Sequence, residues 1–143
     1  MLGSQGWRSI SLSCAVSAVG ENFPMHCTAN GKAVLALLGN SEICRICEHG
    51  QQRFTPATLV ATENLLRQIS EIRQCGIAID AEEHSPGICA FGMAFRDAAS
   101  GLSAVSIPMP SIRFDAADKP LTQALRDSVA AISRDIMRRS SRD

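Results

Sequence analysis

The sequence has no excess of charge of either sign. Lys plus Arg and Asp plus Glu each number 14, so the formal net charge is zero. That balance argues against a chain that grips nucleic acid or an anionic membrane through bulk charge. No stretch is long and apolar enough to cross a bilayer. Long blocks of like charge, low-complexity runs and internal repeats are also missing. With 45% apolar residues, the composition is that of a folded domain and not a disordered chain. There is no second CxxC or HxxxH pair, no Gly-rich phosphate loop of either common spacing and no Ser-His-Asp pattern. At 143 residues the chain is one domain with enough length to bury a core.

Six cysteines are present, scattered and mostly in apolar company. A domain of this size does not need disulfides, so the thiols read as reduced and the protein as cytoplasmic. Cys44-x-x-Cys47 with His49 falls inside a short helical pattern, which makes the thiols i, i+3 neighbours and leaves them short of the four ligands of a structural zinc. Cys27 beside His26 could be a nucleophile, but adjacent residues usually face apart. A thiol-dependent redox or metal sensor, or an enzyme, using Cys27, Cys44 or Cys47 is therefore the alternative reading. The leading one has no metal, no cofactor and no enzymatic activity.

In chain order, residues 1–8 are an irregular lead-in and residues 9–143 the domain. Arg8 and the following ISLSCAVSAV could pass for a signal peptide. Instead, Ile10, Leu12, Cys14 and Val16 alternate with small or polar residues, which predicts a strand over 9–19. Gly20 to Pro24 is a turn. Thr28 is placed as the N-cap of a helix that Gly39 stops, and Ser41 as the cap of a short second helix ended by Gly50. Residues 51–58 are a polar loop. Leu65, Leu66, Ile69 and Ile72 mark a third helix from Thr62 to a stop at Gly76. Strands are expected at Ile77–Ile79, Ile88–Arg96 and Leu102–Ile107. An acidic turn over Asp80–Gly87 joins the first two, and Asp80 can point inward while Glu82 and Glu83 point out. A last helix runs from about Lys119 to Arg139 with a stripe of Leu121, Leu125, Val129, Ile132 and Ile136. The arginines at its end complement the helix C-terminus. The fold class is α+β, an antiparallel sheet with helices on its faces.

Residue size separates the two sheet faces. In Ile88–Arg96 one face carries Ile88, Ala90, Gly92 and Ala94, and the other Cys89, Phe91, Met93 and Phe95. In the next strand Ala104, Ser106 and Pro108 oppose Val105, Ile107 and Met109. The large face wants the last helix. The small face either leaves room for a ligand or lets a second helix approach closely, in which case the chain is a structural oligomerisation module. A helix starting near Thr28 also aims free N–H groups forward.

These runs resemble the IclR-type transcriptional regulators. FPMHCTANGKAVLALL is similar to the segment in which a Pro, a His and a Thr/Ser-rich turn lead into a Gly-Lys-Ala helix. GIAIDAEEHSPGICAFGMAFRD resembles the Asp-x-Glu-Glu block with Pro-Gly and an inner strand, AVSIPMPSIRF the closing strand, and PATLVATENLLRQISEIRQCG the helix between. The resemblance covers residues 9–139. It implies a GAF-like effector-binding domain that tunes a winged helix-turn-helix, with a small-molecule effector, often an organic acid, and a homodimer or homotetramer as partners. Operator DNA would be reached only through an N-terminal domain that this sequence lacks. Carried over by position, Ala29 and Asn30 would offer backbone N–H groups to a carboxylate. Asp80 and Ser106 would give side-chain hydrogen bonds, and Phe23, Ile88, Ala90 and Pro108 would line the pocket. The family often has Ser-x-Ser-Gly-Pro where Ser106-Ile107-Pro108-Met109-Pro110 stands, and some relatives have Cys or Ser at the place of Ala90. Both departures make the pocket less polar and favour a bulkier, more apolar effector.

Overall fold

The structure is a computed structural model and describes residues 22–97 and 101–142. The expected lead-in, the strand over 9–19 and Ser100 lie outside the described residues.

Four helices and three strands follow one another as α1 (Ala29–Leu35), α2 (Asn40–Ile46), α3 (Thr62–Cys75), β1 (Ala78–Ala81), β2 (Ile88–Arg96), β3 (Leu102–Pro110) and α4 (Phe114–Ser140). The strands form an antiparallel sheet in the order β1-β2-β3. The β2–β3 hairpin has the simple register, with Phe91 opposite Ile107, Met93 opposite Val105 and Gly92 opposite Ser106. Large residues therefore share one face and small residues the other, as the alternation predicts.

The large face is covered by α4. Ile77, Phe91, Met109 and Leu125 form a buried cluster, with Met93, Val105, Ile107, Phe114 and Leu121 packed against it. Of the expected stripe, Leu125 and Val129 are buried while Ile132 and Ile136 are half-buried. The helix starts at Phe114, earlier than the expected Lys119, and carries Pro120 inside it. Stacking of Phe114 on Phe91, with ring centroids 4.9 Å apart, anchors the extra turn. β3 likewise runs past Ile107 to Pro110. Pro108 and Pro110 are tolerated because β3 is an edge strand among the described residues.

The small face is covered by α1, and a second core joins α1, α2 and α3 through Ala33, Leu35, Ile43, Cys47, Leu65, Ile69, Ile72 and Ala78. Gly92 sets the approach: a methyl group there would lie 2.7 Å from the carbonyl carbon of Ala29. At this point the small residue serves close helix packing and not open space. α3 ends as expected at Gly76, whose φ of 79° is the left-handed C-cap.

The boundaries of α1 and α2 differ from expectation as well. α1 stops at Leu35, before Gly39, and arginines take the carbonyls that follow it. Arg73 donates to the carbonyls of Ala36 and Leu38 at 3.1 and 2.7 Å, and Arg96 to that of Leu37 at 2.9 Å. Gly39 instead caps α2 at φ −75°, so Ser41 lies inside that helix and is not its cap.

Gly92→Ala should destabilise the domain by about 1–3 kcal/mol through overpacking against Ala29. The urea-denaturation midpoint measures this, and an unchanged midpoint would mean that α1 is free to move away from the sheet.

Candidate functional site

The small face places five of the eight sequence-predicted residues together. Asp80 pairs with Ala90 across β1–β2, and Ala90 with Pro108 across β2–β3, so the three form one cross-strand row. Ser106 is in the next row, opposite Gly92, and Ile88 is two residues along from Ala90 on the same face. Ala29, buried, sits over Gly92 at the start of α1. Thr28 caps that helix. Its hydroxyl accepts from the Gly31 N–H at 3.1 Å and its carbonyl from Lys32 N–H at 2.9 Å. The helix N–H groups that the cap leaves over are those of Ala29 and Asn30. Asn30 has a side-chain Oδ1 that is buried without a hydrogen-bond partner. Phe23 stands apart from the row, 44% exposed. Its ring meets His84 edge-on at 5.7 Å, and His84 in turn meets Phe54 at 5.2 Å.

The acidic turn is organised differently from expectation. Asp80 does point inward, with 6% of its surface exposed, but Glu83 does too, at 4%. The reason is Lys32. This lysine, fully buried, lies on the inner side of α1 with Ala29, Ala33 and Ala36 at i, i+3, i+4 and i+7 spacing. Its Nζ donates to both carboxylate oxygens of Glu83 at 2.7 and 2.8 Å, to Gln68 Oε1 at 2.8 Å and to the Ile79 carbonyl. The turn is pinned from the other side by the 51–58 loop. Thr58 donates to the Glu83 carbonyl at 2.6 Å, and Thr55 donates to that of Glu82 at 2.6 Å. The Glu83 N–H then donates to Asp80 Oδ1 at 2.8 Å. Glu82 is held at φ 57°, an uncommon conformation for a residue with a side chain.

Lys32, Gln68, Thr55 and Thr58 were not visible as site-building residues in the sequence. The available signal was a lysine at an apolar, inward helix position, which requires a buried counter-charge.

Burial dominates the electrostatics. Asp80 is pushed above the usual carboxylate range, first by desolvation and then by the Glu83 charge, with the Glu83 N–H and Lys32 pulling the other way. The Cys27 thiol is pushed up to about 12 by burial and by the charges of Asp80 and Glu83. It therefore keeps its proton at neutral pH, contrary to what a thiolate nucleophile needs. Cys47 is buried in the α1–α3 core and its thiol is raised by burial, while Cys44 is exposed. Among the described residues no three His, Cys, Asp or Glu side chains are grouped to hold a metal ion.

Residues 8–134 match the family described as bacterial transcriptional regulator IclR C-terminal. The chain belongs to the IclR family. Its match is to the C-terminal, effector-binding domain of these regulators. It is 41% identical over 111 residues to the HTH-type transcriptional regulator Rv1719 of Mycobacterium tuberculosis, covering 78% of this chain and 43% of that protein. The crystal structure of the Thermotoga maritima IclR superposes with a TM-score of 0.79 at 28% identity, covering 93% of this chain and 54% of that one. The inducer-binding domain of PobR from Acinetobacter, solved as a double mutant in complex with 3-hydroxybenzoic acid, shares the fold with a TM-score of 0.73 at 23% identity. That match covers 80% of this chain and 69% of PobR's. The chain spans less than half the length of Rv1719. Among the described residues of this IclR domain no helix is long and apolar enough to cross a membrane.

Two predictions follow from the buried charges. Lys32→Met should destabilise the domain by about 3–5 kcal/mol, because it strands the Glu83 carboxylate without a partner. The double change Lys32→Met with Glu83→Leu should recover much of that loss, and chemical denaturation of the three proteins checks both. For Asp80 the folded-state pKa is raised, so its contribution to stability is complete below the pKa of an unfolded aspartate and is lost as pH rises through the folded value. Stability measured against pH should show this fall, and Asp80→Asn should flatten it.

Proposed function

We propose that this IclR domain senses a small organic acid bound on the small-residue face of the sheet, beside the start of α1. The observation that carries the reading is the buried, unpartnered Oδ1 of Asn30, one residue along α1 from Ala29, which packs over Gly92 of the strand that also carries Ala90. Leaving a buried polar atom unpaired costs about 1–3 kcal/mol, and a donor carried by the acid apart from its carboxylate, such as the hydroxyl of 3-hydroxybenzoate, offsets that. In this reading the N–H groups of Ala29 and Asn30 meet the acid, and Asp80 and Ser106 hydrogen-bond it. Ile88, Ala90 and Pro108 form the apolar wall and Phe23 the rim. Pro108 and Ala90 contribute no hydroxyl or thiol, which favours a bulkier, more apolar acid over a two- or three-carbon one. PobR, solved with an aromatic acid, is a precedent of that size.

Residues 9–143 form the sensing unit of a cytoplasmic regulator that works as a homodimer or homotetramer. The effector binds one quaternary arrangement better than another. That difference, typically about 1–3 kcal/mol, biases a winged helix-turn-helix toward or away from operator DNA. The regulator catalyses no reaction in this scheme.

A thermal-shift screen of the purified chain against glycolate, isobutyrate, benzoate and 3-hydroxybenzoate tests the reading. A ligand at a hundredfold excess over its Kd adds about 2.7 kcal/mol of stability. The larger acids should raise Tm dose-dependently and glycolate should not. A flat response across the panel from well-folded protein would reject an acid site.

A further inference from the structure

We propose that Asp80 binds an acid effector as a neutral carboxyl group, donating a hydrogen bond to the effector's carboxylate, so that binding takes up one proton. This rests on the reading above that an acid occupies the small face beside Asp80.

The titratable groups that act on Asp80 are Lys32 from α1, and Glu83 and His84 from the turn, His84 through its backbone N–H. Asp80 in turn acts on Cys27, just ahead of α1, and on Cys89 of β2. Lys32 is the cation of the set, and its three N–H donors are already committed. They serve both oxygens of Glu83, Gln68 Oε1 and the Ile79 carbonyl. Lys32 and Glu83 therefore cancel, and Cys27 and Cys89 are held in the neutral thiol form by burial. Both histidine rings are engaged elsewhere. His26 keeps Nε2 at the Gln52 carbonyl, 2.8 Å away, and His84 keeps Nδ1 at Ser85 Oγ, 3.1 Å away. What remains is one carboxylate, 6% exposed, with no counter-ion of its own.

Bringing a second carboxylate against it puts two like charges in one low-dielectric site, and such a pair holds a single proton between them. The proton comes from solvent, and no covalent bond is made or broken. Asp80 is the better holder, since burial already raises its affinity for a proton, while its Oδ1 continues to accept from the Glu83 N–H. The consequence is selective. The site takes acids readily at mildly acidic pH and progressively less well above it, by about tenfold in Kd per pH unit once Asp80 is ionised in the free protein.

Calorimetric titration of the chain with benzoate and with 3-hydroxybenzoate between pH 5.5 and 8, repeated in buffers of different ionisation enthalpy, decides the matter. Wild-type protein should bind more weakly as pH rises and take up about one proton per acid at the upper end. Asp80→Asn supplies an amide donor without a titrating proton. It should bind the same acids with a Kd that does not change with pH and that is lower than the wild-type value at pH 8. Binding by wild type that is independent of pH, with no proton uptake, would overturn the inference and leave the acid site standing. Loss of binding by a folded Asp80→Asn protein at every pH would also overturn it, since the ionised form would then be what the ligand needs. If neither acid binds either protein at any pH, the acid reading of the site fails and the inference fails with it. The wild-type buffer series stands alone should Asp80→Asn not fold.

Discussion

The ion pair between Lys32 and Glu83, at 2.7 Å with both side chains buried, is the contact on which the arrangement of this domain depends. It links α1 to a turn 51 residues away in sequence. On the turn side it sets the Glu83 backbone, whose N–H fixes Asp80 and whose carbonyl is held by Thr58. On the helix side it holds α1 down against the sheet, in the place where Gly92 admits Ala29. A buried pair of this kind gains little over a well-packed apolar pair, because desolvation offsets most of the attraction. Its value is geometric. The lysine has four acceptors around it, and an ammonium that finds them all has one position.

The sheet separates two tasks by residue size. On the large side, Phe91, Met93, Val105 and Ile107 build an ordinary core under α4. On the small side, alanine, glycine and serine bring a short helix within contact distance and leave polar groups near its first turn. Arginines then do what sequence caps do elsewhere: Arg73 and Arg96 hold the end of α1, and Arg126 donates to the Cys75 carbonyl at the end of α3 at 2.7 Å. Charged donors on carbonyls are among the stronger hydrogen bonds available. They hold the chain where it leaves α1. The small face owes its shape in part to these interactions at its edges.

The one buried lysine is spent on structure. In the reading proposed above, an anion at the small face would meet backbone N–H groups, a serine, an asparagine and a carboxyl group, and the buried cation there, Lys32, is already paired with Glu83. Recognition under those conditions depends on hydrogen bonds and on the protonation state of Asp80, and less on Coulomb attraction.

Much of this was legible in the chain. The alternation in Ile88–Arg96 marked a strand and its two faces, because the pleat has a strict period of two, while the simple register with the next strand was a condition that the folded hairpin meets. Thr28 and Gly76 marked a helix start and a helix stop, because a hydroxyl cap and a left-handed glycine act locally. Asp80 could be placed pointing inward by its position at a strand end. The direction of Glu83, the end of α1 before Gly39 and the early start of α4 at Phe114 could not be read. Each involves a partner far along the chain: Lys32, Arg73 with Arg96, and Phe91. A lysine on an apolar helix face states that an acid must come to it without saying which one. Only the folded chain chooses between Glu82 and Glu83: the 51–58 loop holds both of their carbonyls, but the Glu83 side chain turns in to Lys32 while Glu82 Oε1 accepts from the Gly87 N–H.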